Sequence, residues 1–177
     1  ASYRRQRQMC IRDSCQGPLR IGASDHIANY YLVEKLISLR KKEEKVIPNI
    51  VVGSPAETIK KIQKNEIEFG LFFTKIDALN IEYKKLSDHE MAVVYSSKLK
   101  KEQLNSYIGS ALRDYKLNPA QKVLDHLSKY PPISFESNSQ ELQKRVCLLE
   151  GGLAVLVRFM VQNEIKQGLL KELKLAK

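Results

Sequence analysis

Tryptophan is absent from this sequence of 177 residues, and cysteine and histidine occur only three times each. Cys10, Cys15 and Cys147 are odd in number and lack paired spacing, which argues against a disulfide framework. The histidines are scattered and no cysteine pair has zinc-site spacing, so we expect neither a metal nor another cofactor. No apolar run reaches the roughly 18 residues that a membrane-spanning helix needs, and we predict a cytoplasmic protein with no membrane partner.

Arginine is concentrated at the start of the chain. The formal net charge is +10, and the stretch RRQRQMCIRDS, residues 4–14, holds four arginines, whereas the rest of the chain prefers lysine. Such a cluster can neutralise phosphates, and a solvated tail is the plain alternative. The whole stretch also resembles a translated sequencing adapter. We favour this third interpretation and predict that residues 1–16 are a non-native leader outside the fold.

The first half of the remaining chain alternates predicted strands and helices. Alternating apolar residues predict a strand at 19–24, and continuous apolar runs predict strands at 48–53 and 68–73. Ser24 or Asp25 is positioned to cap a helix that runs to about Glu43. The sequence SPAE at 54–57 combines an N-cap serine, a proline at the first helical position and a capping-box glutamate. This order predicts a parallel α/β lobe.

The second half predicts another α/β lobe. Ser139 begins a helix that ends at the glycine pair Gly151 and Gly152. The segment at 80–89 reads as an exposed strand and a turn. Further strands are predicted at 90–96, 107–110, 132–137, 153–157 and 169–173, and further helices at 119–130 and 160–167.

Five blocks of sequence occur in an order typical of one protein family. They are LRIGASDHIANYYL, VVGSPAETIKKIQKNEIEFGLF, LSDHEMAVVYS, SNSQELQKRVCLLEGGLAVLV and EIKQGLLKEL. Together they resemble the effector-binding domain of LysR-type transcriptional regulators, from about Pro18 to Leu173. The sequence departs from the family pattern at SSKLKK, which replaces a His-Pro turn, and at VLVRF, which lacks the usual proline.

The resemblance implies an α/β fold of the periplasmic-binding-protein-like type 2. In that fold, two α/β lobes are joined by two crossover strands, and a ligand cleft lies between the lobes. We place lobe I at 17–91 and 157–177 and lobe II at 92–156, with crossovers near Met91–Val94 and Ala154–Val157. The resemblance also implies a small-molecule effector, and DNA contact only through a helix-turn-helix domain that this sequence lacks.

Hydroxyl side chains follow the predicted strands at the places where a ligand would bind. In open α/β sheets, ligands bind beyond the carboxyl ends of the strands, where helix N-termini offer free N–H groups. A serine at such a place can also do no more than cap its own helix. We expect a small anionic or zwitterionic effector, with the candidate contacts Ser24, Ser54, Phe73, Thr74, Ser110 and Ser139.

The first predicted helix is apolar over a wider arc than packing on one sheet requires. This width suggests a second contact, either inside a more deeply buried lobe or with a partner subunit. Under the second interpretation the chain forms a homo-dimer or tetramer, with Tyr30, Tyr31, Val33 and Ile37 at the dimer interface.

Signals for catalysis are weak. SLRK at 38–41 has the spacing S-x-x-K, but it lies inside a predicted helix and has no companion motif. The sequence contains neither G-x-S-x-G nor a glycine-rich phosphate loop. We therefore predict no enzyme, but the effector-sensing and dimerisation domain of a LysR-type regulator that modulates DNA binding and transcription. An extracytoplasmic solute-binding protein of the same fold is the alternative.

Overall fold

The computed structural model describes residues 16–76, 78–100, 103–109 and 131–174. The chain divides into two compact units, of which one ends at Tyr83 and the other begins at Lys84. Each unit contains a sheet of its own.

The described part of the first unit alternates strands with helices. Its strands pair in parallel in the order β2-β1-β3: β1 (Gly17–Ala23), β2 (Val46–Val52) and β3 (Phe69–Leu71). Its helices are α1 (Asp25–Ile27), α2 (Val33–Lys42) and α3 (Pro55–Gln63), and a π-helical turn (Ala28–Leu32) joins α1 to α2. The predicted β-α-β-α-β order of this unit is therefore confirmed.

The π turn is the feature of the first helix that the sequence pattern does not predict. A π turn contains more residues than an α turn, so it changes which side chains of the following helix face the sheet. No residue of α2 is buried, and the side chains of Val33 and Ile37 are 44% and 51% exposed. The wide apolar arc of this helix thus leaves part of its surface uncovered within the chain.

Helices pack on both faces of the first sheet. One face carries a buried cluster of Ile21, Ala23, Ile27 and Leu32. On the other face the packing is so close at Gly22 that an added Cβ would lie 2.6 Å from the side chains of both Ile67 and Thr58. Glycine is required there because any larger side chain would overlap these neighbours.

The second unit has a mixed sheet. Its described strands lie in the order β6-β5-β7-β4-β8: β4 (Met91–Ser96), β5 (Tyr107–Gly109), β6 (Ile133–Glu136), β7 (Leu153–Val157) and β8 (Leu170–Glu172). Its described helices are α4 (Gln140–Leu149) and α5 (Arg158–Lys166). β5 pairs in parallel with β6 and β7, whereas β4 pairs antiparallel with β7 and β8.

Most predicted elements of this half are confirmed, with one error. The described residues at 80–89 contain no strand, although the sequence pattern favoured one. The segment is mostly exposed there, and a strand needs a paired neighbour to satisfy its backbone groups. The helix predicted at 119–130 lies outside the described residues.

The core of the second unit is centred on β7. Every residue of Leu153–Val157 is buried. Behind it lies Cys147, a buried free thiol that contacts the carbonyl oxygen of Gly152 at 3.4 Å. Burial raises the pKa of this thiol to about 12, so it stays protonated at neutral pH.

Helix α4 ends as predicted and is tied to α5 by a buried charge. Gly151 and Gly152 adopt φ angles of +98° and +99°, a conformation that favours glycine. Lys144 on α4 has a side chain only 6% exposed, and its Nζ lies 3.0 Å from the carboxylate of Glu164 on α5 and 3.3 Å from that of Glu141.

The predicted boundaries of lobe I (17–91 and 157–177) and lobe II (92–156) remain a prediction. In the second unit, α5 packs on β7 and β8 pairs with β4, so residues Arg158–Glu172 lie beside the two strands that we expect to be crossovers.

Candidate functional site

Three candidate residues follow the strands of the first sheet, at its carboxyl edge. Ser24 follows β1, Ser54 lies two residues beyond β2, and Thr74 lies three residues beyond β3. The strand ends are in register, because Ala23 is opposite both Val52 and Leu71. The parallel pairing therefore brings these hydroxyl side chains to the same carboxyl edge, as expected from the sequence.

Ser54 is held in a complete capping box. Its Oγ accepts a hydrogen bond from the backbone N–H of Glu57 at 3.3 Å, and the Glu57 carboxylate accepts from the backbone N–H of Ser54 at 2.8 Å and from its hydroxyl at 2.7 Å. These hydrogen bonds lower the pKa of Glu57, because they stabilise its ionised form. A bound carboxylate at this position would have to displace Glu57 from the N–H and the hydroxyl of Ser54.

Ser24 has different partners. Its hydroxyl makes no capping hydrogen bond, and its Oγ lies 3.4 Å from Nε2 of His26. The other ring nitrogen, Nδ1, lies 3.3 Å from Oδ1 of Asp25, which also accepts from the backbone N–H of His26 at 2.7 Å. Sequence reasoning missed His26, although its position two residues after the strand-end serine was a usable signal.

Phe73 and Thr74 complete this edge. Both are half-buried, and the ring of Phe73 lies 6.5 Å from that of His26, centroid to centroid, at an angle of 59°. Phe73 thus lies beside the Ser24 position rather than in the core clusters of the first unit.

In the second unit, Ser139 lies at the corresponding edge of the parallel strands. Its Oγ accepts from the N–H of Leu142 at 3.3 Å, and its own N–H donates to the hydroxyl of Ser137 at 3.0 Å. Ser110 directly follows β5 in the sequence but lies outside the described residues.

A buried amide holds this edge together. Gln143, 3% exposed, donates through Nε2 to the carbonyl oxygens of Gly109 at 3.0 Å and Ser137 at 2.6 Å. It thereby joins the ends of β5 and β6 to the first turn of α4, where Ser139 is the N-cap. The sequence pattern gave no indication of this role, since a glutamine on a helix is usually exposed.

A cleft of about 610 Å³ lies elsewhere in the second unit, between the segment that precedes β4 and helix α5. The guanidinium of Arg158 at its wall contacts both carboxylate oxygens of Glu172, at 2.6 and 2.8 Å, and Glu90 at 3.0 Å. These carboxylates raise the pKa of Arg158. Because this cation is already bound by two carboxylates, Arg158 is not available to bind a further anion in the cleft.

A comparison with known protein families finds one family that matches nearly the whole chain. The family described as the LysR substrate binding domain matches residues 12–177. The chain belongs to this family. The predicted resemblance to LysR-type regulators is confirmed, and the match does not favour the alternative of an extracytoplasmic solute-binding protein.

Solved structures of LysR-type regulators have the same fold. CrgA, a LysR-type transcriptional regulator from Neisseria meningitidis, is 17% identical with a TM-score of 0.73, over 99% of this chain and 62% of that one. The CcmR regulatory domain from Synechocystis PCC6803, in complex with 2-PG, is 17% identical with a TM-score of 0.73, over 89% and 80%. The regulatory domain of HypT from Salmonella typhimurium, bromide ion-bound, is 15% identical with a TM-score of 0.65, over 92% and 81%.

This LysR substrate binding domain therefore has the periplasmic-binding-protein-like type 2 fold. The predicted fold class is confirmed. The chain spans less than two thirds of the CrgA chain. No curated protein sequence matches the chain.

Neither a metal cluster nor a membrane helix is present in the part of this LysR domain that the structure describes. Its histidine, cysteine and acidic side chains form no group of three or more that could hold a metal ion. None of its described helices is long and apolar enough to cross a membrane.

Proposed function

We propose that this domain binds a small anionic or zwitterionic effector at the carboxyl edges of its parallel strands. In the first unit the contacts are Ser24, Ser54, Phe73 and Thr74, and in the second unit they are Ser139 and Ser110. The observation that carries the proposal is the placement of hydroxyl residues just beyond the ends of β1, β2 and β3, which are in register, in a domain whose family is described as substrate binding.

The choice of an anion is supported by chemistry and by the relatives. Hydroxyl groups and helix N-termini both donate hydrogen bonds to oxyanions. Two solved regulatory domains of this fold hold small ligands, namely the anion bromide in HypT and 2-PG in CcmR. Asp25 and Glu57 add carboxylates at the same edge, which would suit the cationic group of a zwitterion.

In this proposal the domain has no enzymatic activity and acts in the cytoplasm. Effector binding shifts a LysR-type regulator between two states that bind DNA differently, since a ligand with unequal affinity for two states changes their populations. DNA is contacted through a helix-turn-helix domain outside this sequence.

Binding of defined anions tests the proposal. We expect isothermal titration at neutral pH to detect 2-PG, oxalate or glycine, but not the cation methylammonium. Replacing Ser24 or Ser54 with alanine should weaken binding about five- to tenfold at pH about 5.5, because each variant removes a hydroxyl group that can donate to a bound anion, in the case of Ser54 once the anion has displaced Glu57. Ser38→Ala, an exposed serine on α2, is the matched control and should leave the affinity unchanged.

Two results would contradict this function. One is that no anion of the panel binds. The other is that Ser38→Ala weakens binding as much as the strand-end variants do. Because Ser54→Ala also removes a helix cap, its circular dichroism spectrum and thermal midpoint should be recorded beside its affinity.

We also propose that the domain assembles as a homo-dimer or tetramer through its first helix. Val33 and Ile37 present apolar side chains to solvent, and Tyr30 and Tyr31 lie half-buried one turn before them. Burying such side chains against a partner removes apolar surface from water.

Sedimentation measures this assembly directly. We expect the chain to sediment as a dimer or larger species and Ile37→Glu to sediment as a monomer, because a charge at this position would have to be buried in the interface. Ser38→Glu is the adjacent control and should keep the oligomer. A monomeric chain at all concentrations would contradict the proposal.

A further inference from the structure

A hydroxyl, an imidazole and a carboxylate form a hydrogen-bonded series at the end of β1. Ser24 Oγ lies 3.4 Å from Nε2 of His26, and Nδ1 of the same ring lies 3.3 Å from Oδ1 of Asp25. The His26 side chain is only 12% exposed, and the uncharged ring of Phe73 lies beside it. The imidazole is therefore largely shielded from water.

The protonation state of His26 sets the direction of the hydrogen bond to Ser24. A carboxylate only accepts hydrogen bonds, so in the neutral imidazole the proton belongs on Nδ1, facing Asp25. Nε2 then carries a lone pair and accepts the proton of the Ser24 hydroxyl. In this state Ser24 presents only oxygen lone pairs to a ligand, and these repel an anion.

Protonation reverses that direction. Both nitrogens of an imidazolium are donors, so Nε2–H donates to Ser24 Oγ. The hydroxyl proton of Ser24 is then free to point outward and donate to an anion. The positive charge of the ring adds a second, weaker attraction.

We propose that His26 makes anion binding at this edge proton-linked, so that the site binds small carboxylates more tightly when His26 is charged. This inference rests on the proposed effector site. Asp25, on the same turn, is an ionisable group in contact with the ring, and the uncharged Phe73 lies beside the ring from the segment after β3. Affinity should therefore rise as the pH falls, because protonation of the ring frees the Ser24 hydroxyl to donate to the anion.

Oxalate is a suitable probe, because carboxylates stay ionised above about pH 5.5. We expect titration calorimetry on the whole chain to show oxalate binding about five- to tenfold tighter at pH about 5.5 than at pH about 8. His26→Gln should bind with equal affinity at both pH values. His89→Gln, in the second unit, is the matched control and should keep the full pH dependence.

Ser24→Ala separates the hydrogen-bond switch from simple charge attraction. If the switch operates, removing the hydroxyl weakens binding at pH about 5.5 and changes it little at pH about 8. An equal loss at both pH values would overturn the inference, as would a pH dependence that persists in His26→Gln. If His26→Gln does not fold, Asp25→Asn replaces it, and it should reduce the ratio of the two affinities, because an amide can donate as well as accept and no longer fixes the ring proton on Nδ1.

The failure of this inference differs from the failure of the proposed function. Oxalate that binds at neither pH overturns the proton linkage, whereas the effector site itself fails only if 2-PG and glycine do not bind either.

Discussion

Replacing Lys144 with alanine is expected to lower the free energy of unfolding by about 3–5 kcal/mol, the largest effect of any charge substitution proposed for this domain. The Lys144 side chain is 6% exposed and bonds to Glu164, whose side chain is 19% exposed. Within the described residues, one carboxylate oxygen of Glu164 is buried without any hydrogen-bond partner. Removing the lysine would leave this carboxylate buried and uncompensated.

Denaturant unfolding followed by far-UV circular dichroism measures the loss, and hydrogen exchange of the α4 and α5 amides locates it. Arg145→Ala is the matched control, because Arg145 is the next residue of the same helix and is exposed; it should change stability by less than about 0.5 kcal/mol. Combining Lys144→Met with Glu164→Gln should restore most of the stability, because neither side chain is then charged. Equal losses in Lys144→Ala and Arg145→Ala would show that the pair contributes no stability.

The second large effect is expected at the centre of β7. Leu156→Ala should destabilise the domain by about 2–5 kcal/mol, because it removes buried methyl groups and leaves a cavity. Leu156 is fully buried, and its strand is covered by α4 and α5. The surrounding side chains are close-packed and cannot collapse fully into the space.

Leu149→Ala controls for the change of residue type, since Leu149 lies at the end of α4 with its side chain 78% exposed. Its free energy of unfolding should fall by less than about 0.5 kcal/mol. Thermal unfolding of the two variants, side by side, checks the prediction. A loss at Leu149 equal to that at Leu156 would mean that this strand is not the core of the second unit.

The effector-binding proposal and the proton-linkage proposal depend on different features of the structure. The effector proposal needs only that hydroxyl groups and N–H donors meet at a strand edge, which the parallel register of β1, β2 and β3 provides. The proton-linked proposal needs a single side chain, His26, to lie between a hydroxyl and a carboxylate. The first can therefore hold without the second.

Features built from neighbours in the chain were determined by the sequence. The capping box of Ser54 and Glu57 spans three residues, and its hydrogen bonds follow from local backbone geometry. Gly151 and Gly152 end α4 for a similarly local reason, because their φ angles are strained for other residues. The positions of nearly all described strands follow from apolar runs, whose period is a property of the sequence itself.

Features built from residues far apart in the chain were decided by the tertiary structure. The sequence pattern alone favours an exposed Gln143. In the fold its side chain is buried and bonds to Gly109, which lies 34 positions earlier in the chain. The buried Lys144 and Glu164 pair joins two helices across 20 positions. The π turn at Ala28–Leu32 also depends on packing, since local propensity predicts an unbroken helix there.

The candidate site depends on local sequence signals and also on contacts between distant segments. The sequence by itself determined that hydroxyl residues follow each strand of the first unit, because strand ends and helix caps are local signals. Only the tertiary structure decided that these strands lie side by side in the order β2-β1-β3, and that Phe73 lies beside His26. The physical reason is that strand pairing and side-chain contact depend on the burial of surface between distant segments, which no local pattern records.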